Sequence, residues 1–199
     1  MTTGNLSFAA IGRMAIASGI ISILAIALLI LFFTVGQPFG TLNDIFNGIA
    51  GIAILILAWM LYAEHHAKSP LLSQIALMIA IVGAIVVVIG SILVIFQITG
   101  WVLAGSYTGA GNALIGLWLA AFCYSMQRSD TLPHNLIVFG LVVGACMAFG
   151  LILIPGILAR IDNMESPPWY LYIGYVGFLG TSILYPIWAI WLGRVLMSR

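Results

Sequence analysis

Polar residues interrupt this chain at wide intervals, and the stretches between them stay apolar for longer than a soluble helix or strand requires. Six such stretches run at about 11–35, 44–63, 71–99, 107–127, 134–159 and 169–193. Each reaches the roughly 20 residues that a helix needs to cross about 30 Å of hydrocarbon. The third, "LLSQIALMIAIVGAIVVVIGSILVIFQITG", is longer than that and must tilt or extend past the hydrocarbon. No period-2 alternation runs through these stretches, which disfavours a β-barrel. The pattern predicts an all-α, polytopic integral membrane protein: a compact bundle of six transmembrane helices in one domain over 1–199.

Local signals mark several helix starts. Ser69-Pro70 and Ser166-Pro167 each place a cap residue before a proline suited to the first helical position. Pro133 plays a similar part at the start of the fifth span. Thr41 followed by Asp44 resembles a capping box at the second span, with Asp in place of Glu. The connectors are short, so consecutive helices are expected to be antiparallel neighbours.

Composition removes the alternatives. The chain has 199 residues, 63% hydrophobic and only 6% charged. A soluble domain carries about 25% charged residues. So few charges do not cover a water-facing surface, and a net charge of +1 offers no phosphate-binding face, so nucleic acid is excluded as a partner. Cys123 and Cys146 both lie in apolar runs and read as small packing residues. The first run is too long for a signal peptide and no cleavage motif follows it, so it reads as a retained span.

Basic residues set the expected orientation. Of the six, Arg13, Lys68, Arg128, Arg194 and Arg199 fall on one side of a six-span model. Arg160 alone falls on the other, beside Asp162 and Glu165. The positive-inside rule then places both termini in the cytoplasm, in a plasma membrane or cell inner membrane. Aromatic residues near the span ends suit an interfacial belt: Trp59 and Tyr62 at the inner side, Trp101, Trp169 and Tyr170 at the outer. Trp188 and Trp191 are read as inner-side lipid anchors, and Trp118, deeper in its span, as a packing or cavity-lining residue.

The second, fourth and sixth spans each begin with small and polar residues and end with aromatics, as a repeat of three helical hairpins would. Shared membrane grammar produces the same pattern. Glycines are frequent, and Gly51, Gly109, Gly116, Gly144 and Gly177 are candidate helix-packing positions, since small residues let helix axes approach. Pro155 and Pro186 interrupt the last two spans.

Candidate chemistry gathers toward the outer side. Asn43, Asp44, Asn47, Gln97 and Asn112 form a possible polar vestibule. Asn43, Asn47 and Gly51 share one helical face, as do Asn112, Gly116 and Ala120. The plainer reading is interhelical bonding and capping near the headgroups. The sharper reading is a vestibule for a cation or small polar solute. Mid-span charge, the mark of an ion-coupled transporter, is missing from the sequence. His65, His66 and His134 sit at span ends and read as interfacial residues, with no metal or cofactor expected. There is no HExxH, phosphate loop or CxxC, and Ser91 and Ser182 have no base in their layer, so no enzyme is expected. The expected function is a structural, assembly or regulatory membrane subunit. Its partners are membrane lipids and a second membrane protein or a copy of itself. The alternative is a channel or facilitator for a small neutral or weakly charged solute.

Overall fold

The computed structural model describes residues 8–66, 69–127, 131–163, 165 and 168–198. Six helices are long and apolar enough to span a membrane: α1 (Phe8–Val35), α2 (Phe39–His65), α3 (Pro70–Ile95), α4 (Trp101–Met126), α5 (His134–Leu158) and α6 (Trp169–Met197). The protein is an all-α, multi-pass membrane bundle. Residues 8 and 198 lie at one end, the terminal end. The connectors after α1, α3 and α5 lie at the other, the far end. Lys68, Arg128, Arg199 and the Ser166-Pro167 start lie outside the described residues.

Each helix packs on its neighbours in sequence, and α6 returns to α1, so the six form a closed ring. Glycines bring the backbones together at its seams. A Cβ placed on Gly111 would fall 2.7 Å from the Gly83 carbonyl oxygen, and one on Gly144 would fall 2.6 Å from that of Gly116. Similar approaches join Gly177 to Gly150 and Gly193 to Gly12. Without a hydrophobic drive between helices in lipid, such close van der Waals contact is what holds the seams. Gly51 abuts Val87 of α3, and Gly109 abuts Leu153 of α5.

The two internal prolines shape the last two helices. Proline has no N–H, and its ring presses on the carbonyl four residues earlier. The turn before Pro155 tightens to a 3₁₀ stretch, Phe149–Leu153, and the turn before Pro186 widens to a π stretch, Gly180–Leu184. At that π stretch α6 changes partner. Its first part packs on α5 through Gly174, Gly177 and Gly180. Its second part runs along α1, where Gly19 meets Pro186 and Ile190. The far half of α1 is left with α2 as its main neighbour, and Ile30, Phe33 and Val35 are exposed.

Several helix boundaries differ from those expected, for tertiary reasons. The second helix starts at Phe39, not 44, so Thr41 lies inside it. The Thr41 amide and hydroxyl both donate to Gln37 Oε1, at 3.3 and 3.4 Å, so Gln37 serves that end. Asp44 therefore sits beyond the first turn, where the helix dipole acts weakly on it. The third helix stops at Ile95 because Gln97 turns left-handed, with φ of 55°. The Ile98 amide donates to Leu93 O at 2.8 Å and the Gln97 amide to Val94 O at 3.0 Å, the bond pair of a Schellman ending. Gln97 is thus a helix terminator. A side chain at positive φ costs roughly 1 kcal/mol or more relative to glycine. Gln97→Gly is accordingly expected to raise stability by about 1 kcal/mol, read as a higher unfolding midpoint in detergent.

Candidate functional site

The ring encloses a cavity of about 40 Å³ in its far half, between α1, α2, α4 and α6. Its polar lining is Ser22, Asn43, Asn47, Asn112, Thr181 and Ser182. All six side chains are amides or hydroxyls, so the lining carries no formal charge. Apolar groups complete it, among them Leu29, Ile54 and Phe178.

The hydrogen bonds sort these residues by what they have left to offer. Asn43 is buried and donates its Nδ2 to the Ala25 carbonyl of α1 at 2.8 Å. It accepts Asn47 Nδ2 on its Oδ1 at 3.2 Å. Ser22 donates to Ser18 O at 3.0 Å, and Thr181 to Gly177 O at 3.1 Å, as membrane hydroxyls commonly do. Asn112 and Ser182 have no hydrogen-bond partner among the described residues. Removing the α1–α2 bond with Asn43→Ala is expected to cost about 1 kcal/mol, read by thermal unfolding.

Depth matters more than the sequence suggested. The α4 helix begins at Trp101, about two turns before the expected 107. The reason is a cap from a distant residue. Asp162, in the connector after α5, accepts the Gly100 amide at 2.6 Å and the Leu103 amide at 3.2 Å. Asn112 is consequently near the middle of α4, not near its end. It stands roughly 16 Å from the helix start at 1.5 Å per residue. Ser182 is likewise near the middle of α6. Asp162→Ala is expected to cost about 1 kcal/mol and to speed hydrogen exchange at the Gly100 and Leu103 amides. Unchanged exchange at both would refute the cap.

Below the cavity the interior is closed. Leu57, Leu119, Tyr185 and Trp188 are all 0% exposed. Aromatic rings link across the bundle, with centroid distances of 6.2 Å for Trp118–Phe122, 6.5 Å for Phe122–Trp188 and 6.1 Å for Tyr185–Trp188. The Tyr185 hydroxyl meets Ser18 Oγ of α1 at 2.9 Å, which ties this plug to a third helix. Trp188 is therefore a core residue and not the lipid anchor expected, because α6 turns its 185, 188, 192 and 196 positions toward the bundle axis. Trp191 is exposed, as an anchor would be, and so are Trp59, Trp101 and Trp169.

The structure brings Asn43, Asn47 and Asn112 to one cavity. It does not bring Asp44 or Gln97 there. Asp44 is half-buried on the face it shares with Gly48 and Gly51, the face packed on α3. Three lining residues were not assigned to the vestibule from sequence: Ser22, Thr181 and Ser182, the last weighed only as a nucleophile. A mid-span hydroxyl was their only signal, and such groups usually bond back to their own helix. At the terminal end, His65 is buried with Nδ1 3.1 Å from Leu61 O, against Phe122. Comparison with protein-family models, curated proteins and solved structures finds no match.

Proposed function

We propose that this is a non-catalytic integral membrane protein acting as a structural, assembly or regulatory subunit through contacts between its helices and those of a partner. The observation that carries this reading is the aromatic plug. A polar cavity that ends on Tyr185, Trp188 and Leu119 gives a solute no polar route across the bundle. The cavity lining supplies amides and hydroxyls but no titratable base beside a nucleophile, which argues against catalysis. The charge split between the connectors supports cytoplasmic termini, so the terminal end faces the cytoplasm and the cavity lies in the outer half.

The test has two arms. Proteoliposomes subjected to an osmotic step with glycerol or urea are expected to re-swell at the protein-free rate. Flux above that rate, abolished by Asn112→Leu, would replace this reading with the facilitator, which the neutral lining favours. Crosslinking in native membranes is expected to trap the chain in a complex with itself or another membrane protein. A chain that stays monomeric there and in nanodiscs would count against the subunit reading.

A further inference from the structure

The interior faces of α4 and α6 follow one trend. On α4, positions 101, 105, 112, 119 and 126 lie along a single line facing the axis. Trp101 is 62% exposed, and Gly105 is exposed with nothing within 4 Å of where its Cβ would be. Asn112 is half-buried, and Leu119 and Met126 are 0% exposed. On α6, Phe178 is 42% exposed, Thr181 and Ser182 are half-buried, and Tyr185 is 0% exposed. The interior is thus a funnel that opens at the far end and narrows onto the plug, with Asn112 and Ser182 at its floor.

That floor has an unspent set of hydrogen-bonding groups. Asn112 keeps two N–H donors and its carbonyl, and Ser182 keeps its hydroxyl. Asn47 has spent one N–H on Asn43 and retains the other and its Oδ1. Ser22 and Thr181 have spent their protons and retain acceptor lone pairs. Polar groups left unpaired at this depth are costly unless something fills the space. The volume, about 40 Å³, is that of a group of a few heavy atoms or two to three waters. The lining has no charge to offset the desolvation of an ion. Its adjacent donors and acceptors match a group that bears both.

We propose that this floor is a binding site for a small uncharged group carrying a donor and an acceptor side by side, as a primary amide or a vicinal diol does. The group has two possible sources. A free solute enters from the far end. A neutral glyceride enters sideways, through the gap where α6 leaves the far half of α1, past Phe178 and Leu29. The site does not depend on whether the protein conducts, because the plug lies below it.

The test places a thiol on the cavity wall of a chain carrying Cys123→Ala and Cys146→Ala, held in lipid nanodiscs. Leu29→Cys and Ala50→Cys serve as independent reporters that leave Asn112 and Ser182 in place, so misfolding of one leaves the other. Leu119→Cys is the buried control. Methyl methanethiosulfonate is expected to label both reporters and to spare the control. Acetamide or glycerol, at twice its dissociation constant, slows labelling about threefold, while ammonium and formate do not. Protection by mono-oleoylglycerol in the nanodisc, and not by the soluble probes, assigns the same site to a lipid. Reporters that resist labelling, or that label at one rate whatever neutral probe is present, overturn the proposal. Equal protection by ammonium and formate overturns the requirement for a neutral group.

Discussion

Gly144→Val is expected to destabilise the bundle by about 3 kcal/mol, the upper part of the usual range for overpacking. At this seam α4 and α5 meet backbone to backbone. A Cβ on Gly144 would lie 2.6 Å from Gly116 O and 2.8 Å from Ala120 N, and neither is the end of a flexible side chain that can swing away. The helices must separate, and each ångström of gap forfeits dispersion along the whole crossing. Gly105→Ala provides the contrast on the facing helix, α4. Nothing lies within 4 Å of its Cβ position, so the substitution meets no neighbour and gains helix propensity, up to about 1 kcal/mol. The pair is measured by unfolding in detergent. Midpoints shifted the same way by both would mean that glycine content, and not the approach of α4 to α5, governs stability.

Trp188→Ala should be nearly as damaging, at about 3–5 kcal/mol. The indole is 0% exposed and stands between Phe122 and Tyr185, so truncation opens a void in the plug. In lipid that loss is one of packing contact, since a tail offers much the same apolar medium as the core. Trp188→Phe separates packing from polarity. The indole Nε1 is buried without a hydrogen-bond partner, so phenylalanine removes an unpaired donor along with part of the volume. It is therefore expected to cost clearly less than alanine. A phenylalanine variant as unstable as the alanine one would indicate that the indole ring system is needed in full.

The number of helices was legible because hydrocarbon imposes it: a span must be apolar over its whole length, and short polar connectors punctuate the chain. Helix starts written in adjacent residues were legible too, as at Ser69-Pro70 and Pro133. What escaped was set by residues far apart in sequence. Nothing near Gly100 announces that Asp162 will cap it, and without that cap α4 reads as shorter and Asn112 as shallower. The cavity was half legible. Asparagine in an apolar run is conspicuous, and Asn43, Asn47 and Asn112 were singled out on that ground. Ser22 and Thr181 were not, since a hydroxyl satisfied by its own helix looks the same from sequence whether or not it borders a cavity, and Ser182 was weighed only as a nucleophile. Gln97 misled for a different reason. Its backbone, not its amide, gives it a role.

The switch of α6 from α5 to α1 bears on how the chain is assembled. Of these six helices, α1 is synthesised first and α6 last. Until the segment from Tyr185 onward arrives, Gly12, Ser18 and Gly19 of α1 lack the partner they pack against in the finished ring. The contact that closes the circle is also among those of longest sequence separation, the kind that is made late. Nascent α1 must therefore wait with a notched, hydroxyl-bearing flank turned to lipid or to a holding factor. A chain stopped at the π stretch would retain five neighbour-to-neighbour seams while leaving the circle open.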